Sequence, residues 1–174
     1  YRVLRRLNTM RRRFLFLSIT VGLVLLLSNF FSRPFVSFLT VIDILRDGSG
    51  PLAWFYPDVA RKDLSITSNN MVLQADLYRL SNSDSSVKRP GLLVIHGLTE
   101  KGKGDPHLVH FSKTMARAGF VVLVPDFHGL KTFRLRKDSV DSATLGFKYL
   151  VEELPMVRKE KSGILGISFG GCLL

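Results

Sequence analysis

The chain has 174 residues, 46% hydrophobic and 22% charged, with a formal charge of +11. That length accommodates one domain with a sizeable core, and that composition fits a globular protein with an extra apolar segment rather than a disordered chain. The lone cysteine, Cys172, excludes an intrachain disulfide and a cysteine-based metal cluster.

The charge is unevenly placed. Arg2, Arg5, Arg6, Arg11, Arg12 and Arg13 fall in the first thirteen residues with no acid among them. The remainder holds 19 basic against 14 acidic residues, an ordinary balance for a solvated surface, so the excess does not point to nucleic acid. It points to a membrane, with residues 1–13 as a basic cytoplasmic tail.

Residues 14–31 (FLFLSITVGLVLLLSNFF) carry no charge. Eighteen helical residues at ~1.5 Å each span ~27 Å, close to the ~30 Å hydrocarbon core of a bilayer. Thirteen of them are Phe, Leu, Ile or Val. At roughly −0.3 to −0.6 kcal/mol each they favour insertion by about 4–8 kcal/mol, which Ser18, Thr20, Ser28 and Asn29 reduce without reversing. A cleaved signal peptide is the main rival reading and a buried helix the lesser one. The former needs a shorter apolar core followed by small residues, yet no alanine precedes Ala53. The expectation is one transmembrane signal anchor with the lipid bilayer as its partner. The arginines would hold the N-terminus in the cytoplasm and leave the following domain outside it.

Residues 32–62 read as a linker or an interfacial segment, because 35–45 is apolar except for Asp43 and too short to recross the membrane. The soluble part is expected over 63–174. Residues 64–67 and 71–78 read as an antiparallel hairpin turned by Ser68, Asn69 and Asn70. A polar, serine-rich loop follows at 81–90. Residues 91–96 and 120–125 read as strands buried on both faces, with a helix over 108–118 between them. Asp138 and Ser139 suit the start of a second helix, whose apolar residues Val140, Ala143, Phe147, Leu150, Val151 and Leu154 recur at helical spacing. A third strand, 163–167, leads into Ser168. This alternation predicts an α/β architecture: a mostly parallel sheet with helices on both faces.

The pentapeptide Gly166-Ile167-Ser168-Phe169-Gly170 closes the third strand. By itself it is weak, since glycine at ~7% supplies a chance G-x-S-x-G in about one chain in twenty of this length. Its setting is informative. A buried strand precedes it and Gly171-Cys172-Leu173-Leu174 reads as a helix start, giving the strand–turn–helix in which a strained serine is exposed at a sheet edge.

Three blocks in order, LLVIHGL ending at Leu98, GFVVLVPDFHG over 119–129 and GISFGG over 166–171, resemble the third, fourth and fifth strands of the α/β-hydrolase family. The His-Gly and Pro-Asp-x-x-Gly turns make it most similar to the dienelactone-hydrolase and prolyl-oligopeptidase-like branches. The resemblance implies an α/β-hydrolase fold truncated after the nucleophile elbow, with Ser168 as nucleophile. It implies an oxyanion hole from the backbone N–H groups of Leu98 and Phe169. It makes His96 structural, because the family order of serine, acid, histidine places the base and its acid beyond Leu174. The implied protein is a membrane-anchored serine hydrolase acting on a small ester or related acyl substrate through an acyl-enzyme, without cofactor or metal. A non-catalytic module of the same fold that binds a ligand at the membrane, and an acyltransferase using the same residues, stay open as alternatives.

Three further groups carry weaker signals. His107 and His110 lie one helical turn apart without further ligands, which reads as a solvated helix start rather than a metal site. Asp126 and His128 read as a turn that bonds its own backbone, with substrate contact as the alternative. Lys131, Arg134, Arg136 and Lys137 read as a solvated loop, with docking onto anionic headgroups as the alternative.

Overall fold

The computed structural model describes residues 20, 22, 34–47, 49–56, 58–68, 71–82, 86–134 and 138–173. The chain divides into two compact units, Tyr1–Phe38 and Leu39–Leu174. Of the expected membrane span 14–31 only Thr20 and Gly22 are described, both helical, and the rest of that reading lies outside the described residues. Among the described residues no helix is long and apolar enough to cross a membrane. Helix α1 covers residues 34–45, and a second short helix, α2, covers Pro51–Phe55.

The larger unit is built on five strands: β1 (Val59–Ser68), β2 (Met71–Leu80), β3 (Arg89–Ile95), β4 (Val121–Pro125) and β5 (Val157–Gly166). Their spatial order is β1-β2-β4-β3-β5. The expected mostly parallel sheet is corrected here to a mixed one. β2 pairs antiparallel with β1 and with β4, while β3 pairs parallel with β4 and β5. The connections account for this. Among the described residues neither the link from β1 to β2 nor that from β2 to β3 contains a helix, and the chain reverses twice. Helix α3 (Pro106–Arg117) separates β3 from β4, and helix α5 (Asp138–Lys148) precedes β5. A helical crossover brings the next strand back in the same direction.

The hairpin was expected and is longer, pairing Val59 with Leu80 at one end and Ser68 with Met71 at the other. Strand β5 begins at Val157, six residues before the apolar run that marked it in the sequence. Its first half carries Lys159, Glu160 and Lys161, all exposed at the edge of the described sheet, which hides a strand from an apolar pattern.

Side-chain alternation divides the core between the two faces. Leu93, Ile95 and Leu123 face Ala143 of α5 and Leu150, which lies in the widened π turn Tyr149–Glu153 that ends this helix. Val94, Val122 and Val124 face Leu108 and Ala116 of α3. Helices therefore cover both faces, as the alternation predicts. Helix α3 starts cleanly: Asp105 accepts hydrogen bonds from the His107 and Leu108 N–H groups, and Pro106 occupies the first turn.

A charged cluster fastens the loop after β3 to the hairpin. Buried Asp76 on β2 accepts from Arg61 Nε at 3.0 Å and from Lys103 Nζ at 3.0 Å, while Lys103 also reaches Asp63 at 2.6 Å. The Lys103 hydrogen bond holds the Asp63 carboxyl below its usual range.

The two-face core gives a direct stability test. Leu123 is fully buried on β4 whereas Val72 on β2 is 59% exposed. Leu123→Ala is expected to cost about 2–5 kcal/mol, and Val72→Ala only about 0.5 kcal/mol, in urea unfolding followed by circular dichroism.

Candidate active site

The turn carrying Ser168 is held against the end of β3 by backbone contacts. Beyond β5, the Ile167 N–H donates to the Ile95 carbonyl at 2.9 Å, carrying the pairing past the last strand residue. Ser168 then adopts φ +52°, the left-handed region that a side chain makes unfavourable. A 3₁₀ turn, Ser168–Leu173, follows, and its first bond runs from the Gly170 N–H to the Ile167 carbonyl at 2.9 Å.

Two glycines make this turn possible by having nothing where a β-carbon would be. At Gly170 that carbon would lie 2.5 Å from the His96 carbonyl oxygen and 2.7 Å from that of Ile95. At Gly166 it would lie 2.5 Å from the Gly171 N and Cα. Both obstacles are backbone and cannot swing aside. The strand, the turn and the 3₁₀ segment therefore pack at backbone distance, and Ser168 is left pointing out of the sheet end with an exposed side chain.

Ser168 opens on a cavity of about 410 Å³. Leu98, from the loop after β3, lines the same cavity, together with Ile167, Leu108 and Phe111. Among the described residues the Leu98 N–H donates to no turn or loop carbonyl. Phe169, one residue past Ser168, is exposed and its side chain lies outside the cavity lining. Its backbone lies in the first turn after Ser168.

His96 sits beside this turn and is fully engaged. Its Nδ1 lies 2.8 Å from the Gly97 carbonyl, to which it donates, and its Nε2 accepts the Phe127 N–H at 3.0 Å. That pattern fixes the neutral Nδ1–H tautomer. Burial pushes its pKa below the usual 6.5. The ring is tilted against Phe127, with centroids 5.7 Å apart. His96 thus ties the loop after β3 to the loop after β4 and has no nitrogen left for proton transfer.

The weaker candidates resolve differently. Asp126 bonds not its own turn but Lys131 Nζ at 3.0 Å and the Lys103 N–H at 3.3 Å, so it braces two loops. His128, exposed, opens the short helix α4 (His128–Lys131). Lys131 is committed to Asp126 and Arg134 is exposed, while Arg136 and Lys137 lie outside the described residues. His107 and His110 both line the cavity, with His107 Nδ1 3.2 Å from Asp47 Oδ1. Among the described residues no cluster of three or more His, Cys, Asp or Glu could hold a metal ion.

Sequence reasoning missed one wall of the cavity. Ile44 and Asp47 line it, although they lie in the stretch read as a linker or interfacial segment. The available signal was Asp43, a single acid in an apolar run. Asp43 is buried, accepts the Leu52 N–H at 3.0 Å and lies 3.8 Å from the Arg117 guanidinium, which pins this stretch to α3. A buried carboxylate without such partners would be costly.

Strand order, crossover helices and the Ser168 turn together define an α/β-hydrolase-like fold. Solved structures agree. The chain is similar to a dienelactone hydrolase-like promiscuous phosphotriesterase from metagenomic libraries (TM-score 0.56, 19% identity, covering 67% of this chain and 52% of that one). It is similar to a dienelactone hydrolase from Anabaena variabilis (TM-score 0.52, 18% identity, 67% and 55%). It is also similar to brefeldin A esterase, a bacterial homologue of human hormone-sensitive lipase (TM-score 0.54, 21% identity, 67% and 33%). The chain spans about half the length of the dienelactone hydrolase-like structures it resembles. No family model and no curated protein matches the sequence.

Two measurements test this site. Gly170→Ala should cost about 1–3 kcal/mol or more in thermal unfolding, whereas Gly104→Ala, where a β-carbon meets nothing within 4 Å, should be tolerated. For His96 the folded pKa lies below the unfolded value, so its contribution is complete above about pH 6.5. It is lost as pH falls from there toward the folded value, because the unfolded chain binds the proton first. Melting temperatures between pH 7.5 and 5 should therefore fall more steeply for the wild type than for His96→Gln.

Proposed function

We propose that this chain is the nucleophile-bearing part of a membrane-anchored serine hydrolase that cleaves an ester or related acyl compound through an acyl-enzyme. The observation that carries the reading is Ser168 itself: a non-glycine residue at φ +52°, held by backbone contacts at a sheet end and opening on a cavity. Strain of about 1–3 kcal/mol persists only where surrounding structure enforces it, and such positions cluster at functional sites. The similar structures named above are esterases and related hydrolases, which supports hydrolytic chemistry.

In this reading Ser168 Oγ attacks the substrate carbonyl carbon. Its proton passes to a histidine which, with an acid partner, comes from sequence following Leu174. The carbonyl oxygen becomes an oxyanion and is met by the N–H groups of Phe169 and Leu98. Backbone donors are fixed before the charge develops, and losing one typically costs about 3–4 kcal/mol of transition-state stabilisation. The histidine then protonates the leaving alcohol, and water, activated by the same base, frees the acyl group. The apolar walls from Leu98, Leu108, Phe111 and Ile167 suit the acyl or alcohol moiety.

The uncharged run 14–31 and its six upstream arginines support a signal anchor, with the N-terminus cytoplasmic and the hydrolase part outside the cytoplasm. The test of the chemistry is covalent. A fluorophosphonate probe should label the full-length protein at Ser168, and Ser168→Ala should abolish labelling with the melting temperature unchanged. Absence of labelling in folded, full-length protein would overturn the reading.

A further inference from the structure

We propose that the stretch from Val41 to Tyr56 is a lipid-docking surface through which ester substrates pass from a bilayer into the Ser168 cavity. The substrate half of this proposal rests on the hydrolase reading above. The docking half rests on the stretch itself.

Leu45 is 79% exposed, Trp54 75% and Phe55 65%, and Val41 and Tyr56 are exposed as well. Five large apolar side chains are thus presented to solvent within sixteen residues, a concentration in sequence that single scattered apolar residues do not show. Loose packing does not explain them, because the backbone that bears them is fixed. Leu52 is buried in the same stretch, Asp43 accepts the Leu52 N–H, and Arg117 Nε donates to the Tyr56 carbonyl at 3.0 Å. The outward side chains are thus held outward.

Their chemistry and their place in the chain select a lipid surface over another partner. Trp and Tyr concentrate at bilayer interfaces, where an apolar ring with one polar end matches the headgroup boundary. The uncharged run ends at residue 31, and ten residues can carry the chain no further than roughly 36 Å from there to Val41. If that run spans a bilayer, this stretch is kept within reach of the headgroups whatever path the chain takes.

Ile44 connects surface and site. It is flanked by exposed Leu45, is itself partly exposed, and lines the cavity that Ser168 opens on. The apolar surface and one cavity wall are therefore the same stretch of backbone. An ester with a bilayer-resident chain would enter past Ile44, with Asp47 and His107 beside it in the cavity lining, and the substrate class is then a membrane-borne acyl ester.

Trp54 is the single tryptophan of the 174 residues and serves as the reporter. The full-length protein is reconstituted in phosphatidylcholine vesicles with and without nitroxide-labelled lipid, and Trp54→Phe assigns the signal. Docking predicts emission shifted to the blue, quenched by the lipid-borne nitroxide and shielded from aqueous iodide. Emission quenched by iodide alone, or shielded only as protein concentration rises, would overturn it, the latter identifying a second copy of the chain as the occupant. In a second arm, the double variant Leu45→Glu, Trp54→Glu should lose at least tenfold in turnover of a vesicle-borne lipid ester. Turnover of soluble p-nitrophenyl acetate should stay within twofold. Equal loss on both esters, or none on the lipid ester, would overturn the delivery route. If neither ester is cleaved and the fluorophosphonate fails to label, the hydrolase reading falls and takes the substrate with it, while Trp54 quenching still decides the docking surface.

Discussion

The contact on which the site depends is backbone against backbone, where the turn at Ser168 meets the last two carbonyls of β3. The close approach at Gly170 and the hydrogen bond from Ile167 to Ile95 leave the chain a single path from β5 into the 3₁₀ segment. Along that path Ser168 has no choice but the left-handed region. The unfavourable conformation of one residue is thus offset by pairing and packing spread over several others, which fixes the direction of one exposed side chain. His96 extends the same constraint sideways. With both ring nitrogens bonded, it locks the loop carrying Leu98 to the loop after β4, so the cavity rim and the serine turn share one rigid frame.

Much of this was legible in the sequence because the strands near the site are buried on both faces and show as unbroken apolar runs. Residues 91–96 and 120–125 announced β3 and β4 in this way, and the small residues around Ser168 announced a tight turn. Strand β5 was only half visible, since Lys159, Glu160 and Lys161 lie on its exposed half and break the apolar pattern. Strand direction was visible only in part: the hairpin was expected antiparallel and the later strands parallel, and both hold. Periodicity reports which face a residue uses but not which neighbour its strand takes, and the antiparallel pairing of β2 with β4 turned an expected mostly parallel sheet into a mixed one. The wall formed by Ile44 and Asp47 was hidden for a different reason: its one local signal was Asp43, and a single acid does not by itself separate an apolar stretch that covers a cavity from one that merely leads into a domain.

The electrostatics divide along the same line. Lys131, read as part of a solvated loop, proves to be a fastener, and it is not alone. Lys103 joins Asp63 and Asp76, Lys131 joins Asp126, and buried Asp43 engages the α2 backbone near Arg117. Lys103 and Asp126 tie loops near the cavity to regular elements, Asp43 ties α1 to α2, and buried Asp76 and Asp43 sit where an unpaired carboxylate would be costly.

The strand order also sets the sequence in which the molecule can assemble. The β1–β2 hairpin closes over a two-residue link, whereas β3 and β5 pair residues as far apart as Ile95 and Gly166. Closing so long a loop forfeits chain entropy before any contact compensates it, which places that pairing late in folding. The Ser168 geometry requires β3 and β5 already side by side, so it exists only once nearly everything before it has folded. A chain in which β3 and β5 are not yet paired would carry Ser168 as an ordinary flexible residue, and the strained turn would be acquired together with that pairing.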